Sequence, residues 1–141
     1  MIPMPFNQEI GALLAANQLP TSDLEGESSV KLFGYASNGE LAGIVGIELY
    51  GTSALLRSLA VADSGRGKGL GTALVVHAEH HAAQQGANSV YLLTTTAPDF
   101  FERRGYTHTS REAAPESITR TSQFSSLCPA SSAFMVKAVR S

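Results

Sequence analysis

LLRSLAVADSGRGKGLG, residues Leu55–Gly71, combines a strand pattern, a glycine-rich turn and the start of a helix. Its first half, Leu55–Ala62, is apolar except at Arg57 and Ser58, which predicts a buried central strand. After the turn, Gly69–Gln85 carries apolar residues at helical spacing and predicts a helix. This order is typical of an anion-binding site, because unpaired amides and the positive end of the helix dipole meet at the helix start.

The spelling of the turn excludes two common phosphate-binding motifs. Ala62 stands where a Walker P-loop needs its first glycine, and Gly69 stands where that motif needs Ser or Thr. The dinucleotide-binding fingerprint also fails, because its last glycine would fall on Leu70 or Thr72.

The pattern that does fit is Arg-x-x-Gly-x-Gly, at Arg66, Gly69 and Gly71. Glycine lets the backbone approach a ligand closely and adopt positive φ. Lys68 adds a second positive charge to that of Arg66. We interpret residues 66–72 as a cradle for a pyrophosphate.

Composition bounds the class of protein. The 141 residues are 43% apolar and 16% charged, as in an ordinary globular domain, and we expect one domain over residues 1–141. The net charge of −2 gives no indication of nucleic-acid binding. Cys128 is the only cysteine, which excludes an internal disulfide. Neither a signal peptide nor an apolar run long enough to span a membrane is present, so we expect a cytoplasmic protein.

Periodicity and turn chemistry predict the remaining elements. Asn38-Gly39 predicts a tight hairpin turn. The first three strands should form an antiparallel meander, and a helical crossover should make the strand at residues 88–95 parallel to the central strand. The other predicted strands are Val30–Ala36, Leu41–Tyr50, Tyr106–Ser110 and Ser132–Val139, and the other predicted helices are Phe6–Ala16, Pro98–Arg104 and Pro115–Thr121. Pro3 and Pro5 exclude a regular helix at the N-terminus.

The string RGKGLG, preceded by LAV and followed by TALV, resembles the acetyl-CoA signature of the GNAT acetyltransferase superfamily. The order of predicted elements resembles that family over nearly the whole chain. The resemblance implies an α+β class and the GNAT acyl-CoA N-acyltransferase fold, with a mixed antiparallel/parallel central sheet and flanking helices. The strings LPTSDL, LLRSLAV, YLLTTTA, FFERRGY and SLCPASSAFM resemble, more closely, the acetyltransferases of arsenic-resistance gene clusters.

The resemblance also implies a cofactor site. In this fold the central strand bulges and parts from the next parallel strand, and the pantetheine arm of acetyl-CoA enters the gap. Backbone amides near Leu59, Ala60 and Val61 would polarise the thioester carbonyl. The residues implied to grip the pyrophosphate are Arg66, Gly67, Lys68, Gly69, Leu70, Gly71 and Thr72. Thr94-Thr95-Thr96 is either plain strand or a contact with pantetheine.

Phe101 marks a departure from the family pattern. It lies at a cofactor-binding position where family members often have a Tyr that reprotonates the CoA thiolate. Phe cannot donate a proton, so another hydroxyl or water does so, or the thiolate leaves unaided, since a thiol pKa is about 8.5. Tyr106 is expected in the core instead.

Two charged residues in predicted strands are candidates for the chemistry. Glu48 interrupts an apolar strand beside the central strand and is our candidate for the catalytic base; the alternative is an exposed or edge position. Arg57 is rare in a buried strand. It would bind an anionic group of the substrate, such as a carboxylate, or it would pair with an acidic neighbour such as Glu48.

Other reactive side chains have ordinary interpretations. His77 and His81 are four residues apart on a helix, but nothing nearby completes a metal site, and we expect none. A single Cys128 cannot form a multi-thiolate site for trivalent arsenic and is expected to be buried.

These observations lead to one leading functional hypothesis. The chain is expected to be an acetyl-CoA-dependent N-acetyltransferase that acts on the primary amine of a small molecule, with an amino-acid-like arsenical or phosphinate as one candidate. The alternatives are a non-catalytic acetyl-CoA-binding sensor or partner module, and a protein N-acetyltransferase. A homodimer is compatible with each of these, and no nucleic-acid or membrane partner is expected.

Overall fold

The computed structural model of the chain describes residues 1–19, 21, 24, 30–63, 69–95, 97–121, 124 and 132–140. These residues form seven strands and four α-helices. The strands are β1 (Ile2–Met4), β2 (Lys31–Ser37), β3 (Glu40–Tyr50), β4 (Ser53–Val61), β5 (Ser89–Thr94), β6 (Thr107–His108) and β7 (Ala133–Ala138). The helices are α1 (Gln8–Ala16), α2 (Leu70–Gln84), α3 (Pro98–Arg103) and α4 (Glu116–Thr119).

The strands form one mixed sheet in the order β1-β2-β3-β4-β5-β7-β6. Only β4 and β5 are parallel, because α2 crosses between them, and every other neighbouring pair is antiparallel. The predicted meander and the predicted parallel pair are both confirmed, and so is the α+β class.

The β2–β3 hairpin closes through the predicted Asn-Gly turn. Ser37 pairs with Glu40, which leaves a two-residue loop. Asn38 and Gly39 both have positive φ, at 54° and 78°, as a type I′ turn requires.

Apolar side chains cover both faces of the sheet. The face that carries Val45, Ile47 and Leu56 packs against α2. The buried apolar residues of α2 include the predicted stripe of Leu74, Val75, Ala78 and Ala82. On the opposite face, which we call the α1 face, α1 packs at one end and Ile118 of α4 packs against Leu55 at the other.

The element boundaries differ from prediction at a few places. Strand β1 was not predicted; Pro3 is tolerated there because β1 is an edge strand. Helix α1 begins at Gln8 rather than Phe6, because the side chain of Asn7 caps it by accepting a hydrogen bond from the Ile10 amide at 2.8 Å. Strand β6 covers only two residues of the predicted 106–110, and the predicted strand at 132–139 is trimmed by one residue at each end in β7.

Candidate active site

The central strand β4 separates from its parallel neighbour β5 partway along its length. Their pairing covers only Ser53–Leu55 opposite Ser89–Tyr91, although β4 continues to Val61 and β5 to Thr94. Beyond Leu55 the two strands therefore leave a gap in the sheet. The parting that the family resemblance implied is confirmed.

A bulge in β4 lies next to this gap. Ile44 pairs with Ala60 and Gly46 pairs with Arg57, so three steps along β4 match two steps along β3. The extra residue is accommodated by Ser58, whose φ of 58° is left-handed. The bulge reverses the alternation of β4, so Leu59 and Val61 pack toward the α2 side while Ala60 packs toward α1.

The predicted cradle leads into α2. Gly69 lies just before the helix with a φ of 76°, a conformation that favours glycine, and Leu70 begins the helix. A Cβ placed on Gly71 would lie 3.5 Å from Phe100 Cζ and 3.8 Å from Val61 Cγ2, so the helix start lies beside the end of β4. Residues 64–68, which include the predicted Arg66, Gly67 and Lys68, lie outside the described residues. Thr72 is half-buried in the first turn of α2.

Glu48 and Arg57 meet on the α1 face, where β3 and β4 pair. Arg57 Nη1 lies 3.3 Å from Glu48 Oε2, and the two side chains are 0% and 6% exposed. Tyr50 donates its hydroxyl proton to Glu48 Oε1, and Arg57 Nε donates to Ser58 Oγ at 3.0 Å. A continuous polar network thus runs from Tyr50 through the ion pair to the bulge.

This network bears on the two interpretations of Arg57, as an anion-binding residue and as the partner of an acidic neighbour. Its positive charge is compensated by Glu48, as the second interpretation expected, and its side chain is not exposed to a ligand in solution. Glu48 is buried as well, which differs from the exposed position considered as its alternative. Removing either partner would leave a buried charge uncompensated, which typically costs about 3–5 kcal/mol.

The two phenylalanines of α3 have different environments. Phe101 is 6% exposed in the main core, and its ring centre lies 5.6 Å from that of Tyr106. Phe100 is half-buried, lies closest to Gly71 and has the Arg104 guanidinium 4.9 Å from its ring centre. Sequence reasoning missed Phe100, because a helical pattern does not show which of two adjacent aromatic residues faces the core.

Tyr106 belongs to a second polar network under α2. It is 2% exposed, as the expected core position requires, and donates to Glu79 Oε2 at 2.9 Å. Lys137 Nζ donates to Glu79 Oε1 at 3.0 Å. Burial raises the pKa of the Tyr106 hydroxyl, and the neighbouring Glu79 carboxylate raises it further.

The remaining candidate residues have local structural contacts. Thr94 Oγ1 accepts a hydrogen bond from the Ala97 amide at 3.1 Å, next to the start of α3. His77 and His81 pack edge-on against Phe33, with ring-centre distances of 4.6 Å and 5.0 Å. Burial lowers the pKa of both histidines, and nearby positive charges lower it further.

The described residues contain neither a metal-binding cluster nor a membrane-spanning helix. No group of three or more His, Cys, Asp or Glu side chains in this part of the chain could hold a metal ion. Cys128 and Thr96 are outside it. None of the helices it contains is long and apolar enough to cross a membrane.

A mixed sheet with a bulged central strand that parts from its parallel neighbour, followed by a glycine turn and helix, defines the GNAT type of fold. The sequence model of the acetyltransferase (GNAT) family matches residues 5–106, which is more than half of the chain. The chain therefore belongs to the GNAT acetyltransferase family.

Individual relatives agree with this assignment. An uncharacterized N-acetyltransferase from Chlorobaculum tepidum is 39% identical over 83 residues, which are 58% of this chain and 53% of that protein. The match thus spans about half the length of this curated relative.

Solved structures show the same fold. A GNAT-family acetyltransferase from Staphylococcus aureus Mu50 has a TM-score of 0.75 at 17% identity, with 99% of both chains covered. N-acetylglutamate synthase from Neisseria gonorrhoeae, crystallised with coenzyme A and N-acetyl-glutamate, has a TM-score of 0.75 at 16% identity, covering 99% of this chain and 35% of its own.

Proposed function

We propose that this protein is an acetyl-CoA-dependent N-acetyltransferase that acetylates the primary amine of a small molecule. The observation that carries the proposal is the gap between β4 and β5 beyond Leu55, with the Gly69–Gly71 helix start at one end of it. Membership of the GNAT family and the coenzyme A bound to the Neisseria gonorrhoeae structure support it. We also propose a cytoplasmic location, because acetyl-CoA is an intracellular metabolite.

The residues around the gap fit an acyl-CoA. The amides at the start of α2 and the charges of Arg66 and Lys68 suit a pyrophosphate. We propose that Leu59–Val61 line the gap from β4, and that Phe101 lies behind the half-buried Phe100. When bound, acetyl-CoA supplies the thioester that the amine attacks.

We assign the chain's own groups to positioning and to proton transfer. Backbone amides of the bulge segment would donate to the thioester carbonyl oxygen. Glu48 would accept the proton that the amine loses. Arg57 and Tyr50 would hold that carboxylate in place, because both contact its oxygens. Since Phe101 has no proton to give, the thiolate would leave unaided or take a proton from water.

Calorimetric titration with acetyl-CoA tests the cofactor site. We expect the wild type to bind and Gly71→Glu to lose binding, because that side chain would add bulk and negative charge beside Phe100 and Val61. Ala73→Glu is the matched control, since Ala73 is exposed in the same first turns of α2. A Glu at this position adds the same charge without filling the gap. Absence of binding in the wild type would refute the proposal.

Thiol release with a panel of amines distinguishes the proposal from a non-catalytic acetyl-CoA sensor. The missing hydroxyl at Phe101 favours the sensor as the second candidate. Binding of acetyl-CoA without thiol release from any small amine or peptide would establish it. Acetylation of peptides alone would instead indicate a protein N-acetyltransferase.

The acceptor panel includes an amino-acid-like arsenical and a phosphinate, which the sequence strings of arsenic-resistance acetyltransferases suggest. Such an acceptor carries an anionic group that needs a cation. Arg57 was the expected cation, but its charge is compensated by Glu48. This pairing favours acceptors without an anionic group.

A further inference from the structure

Three aromatic rings on the α1 face form a continuous group, which we call the aromatic wall: Tyr91, Phe124 and Phe134. The rings of Tyr91 and Phe134 are stacked, with centres 5.4 Å apart and planes 15° apart. Phe124 meets Phe134 edge-on at 5.3 Å. These are attractive geometries for aromatic pairs, so the wall has a defined shape.

The register of the sheet places this wall in the same row as Glu48 and on the same face, with the buried Leu55 between them. Glu48 pairs with Leu55 on β4, and Leu55 pairs with Tyr91 on β5, so the three residues form one row across the sheet. Directly opposite residues share a face, and the gap between β4 and β5 opens immediately beyond this row. Leu93, which pairs with Phe134 on β7, continues the wall along the far side of the gap.

The wall is accessible at two of its three rings. Phe134 is buried, but Tyr91 and Phe124 are half-buried. The backbone of Phe124 is fixed by a hydrogen bond, since its amide donates to the buried Thr121 Oγ1 at 3.2 Å. The buried Ser132, two residues before Phe134, has no hydrogen-bond partner for its hydroxyl among the described residues.

Partly exposed aromatic rings in the same sheet row and on the same face as Glu48 suit a particular ligand. Aromatic rings attract flat apolar groups, and each ring that is buried by a ligand adds apolar contact area. The Arg111 guanidinium lies 5.3 Å from the Phe124 ring centre and donates to the Ser132 carbonyl oxygen at 3.1 Å, so it contacts the wall at Phe124.

We propose that the acceptor is a primary amine attached to a flat apolar body, which packs against Tyr91 and Phe124 while its amino group reaches Glu48. This inference rests on the proposed acetyltransferase function and names its substrate class. During transfer the amine nitrogen forms a bond to the acetyl carbon, the carbon–sulfur bond breaks with its electrons on the CoA sulfur, and Glu48 takes the proton from nitrogen.

Three amines of matched length test this inference in a thiol-release assay at saturating acetyl-CoA. The probes share a two-carbon chain between the amino group and the far end. At that end 2-phenylethylamine carries a phenyl ring, 3-aminopropanoate carries a carboxylate, and ethylamine carries neither. Burying a phenyl ring should raise kcat/KM by about 30-fold over ethylamine. Phe124→Ala should remove about 10-fold of that preference, while the affinity for acetyl-CoA stays unchanged.

Controls keep the outcomes separable. Tyr35→Ala removes an exposed tyrosine on β2, away from the wall, and should leave kcat/KM for all three amines unchanged. If Phe124→Ala does not fold, Phe124→Leu keeps an apolar side chain without the ring and should still lower the preference for 2-phenylethylamine.

Equal kcat/KM for the three amines, or a preference for 3-aminopropanoate, would overturn the inference and leave the acetyltransferase proposal standing. Bound acetyl-CoA with no thiol release from any amine would refute the acetyltransferase proposal itself, and the inferred acceptor with it.

Discussion

Ser58 offers the sharpest test of how the bulge in β4 is held. Its backbone is left-handed, with a φ of 58°, which costs a non-glycine residue roughly 1–2 kcal/mol. Its hydroxyl accepts a hydrogen bond from the buried Arg57 Nε at 3.0 Å, and a hydrogen bond to a charged group contributes about 1.5–3 kcal/mol. The two effects have opposite signs, so substitutions that separate them give a predicted order of stability.

Ser58→Ala keeps the strained backbone and loses the acceptor, and it should lower the free energy of unfolding by about 2 kcal/mol. Ser58→Gly loses the same acceptor but relieves the backbone strain, part of which is offset by the greater freedom of glycine in the unfolded chain. We therefore expect the Gly variant to be about 0.5–1 kcal/mol more stable than the Ala variant.

Urea unfolding and thermal melting measure this difference. For a domain of this size, 2 kcal/mol corresponds to a fall in Tm of about 4–8 °C for Ser58→Ala. Ser37→Ala, at an exposed serine on β2, is the matched control and should change Tm very little.

Two results would refute the reasoning. A Gly variant no more stable than the Ala variant would show that the left-handed backbone is not strained. An Ala variant as stable as the wild type would show that the bond to Arg57 contributes nothing.

Three further predictions concern ionisable groups. Glu48→Gln should lower kcat by about 100-fold and flatten the rise of rate with pH, while calorimetry shows an unchanged affinity for acetyl-CoA; an unchanged pH–rate profile would exclude Glu48 as the base. Because the pKa of Tyr106 is raised in the folded protein, its contribution to stability is complete below pH 10, its ordinary pKa, and is lost as pH rises further. Tyr106→Phe should therefore lower the free energy of unfolding at pH 8, and urea titrations should show a smaller fall of that free energy at alkaline pH. Because the pKa values of His77 and His81 are lowered, the stability they contribute is complete above pH 6.5 and is lost as pH falls. Replacing both histidines by Gln should reduce the change in free energy of unfolding between pH 7 and 5. A pH dependence identical to that of the wild type would contradict the lowered pKa values.

The sequence alone determined the order of the elements after β1 and the position of the glycine just before α2. Local chemistry was sufficient for these features. Asn38-Gly39 is suited to the two positive φ values of a type I′ turn, the apolar stripe of α2 follows the 3.6-residue period, and Gly69 has the positive φ that glycine tolerates. The family resemblance added the parting of the two parallel strands, which composition and periodicity do not show.

The tertiary structure decided the features that depend on strand register. The bulge at Ser58 exists because β4 contributes one residue more than β3 between two paired positions, and no local pattern in LLRSLAV specifies it. The same register brings Glu48 to Arg57 rather than exposing it, and aligns Glu48, Leu55 and Tyr91 in one row. A shift of one residue in pairing would move each side chain to the opposite face, so the packing of both faces of the sheet had to select the arrangement.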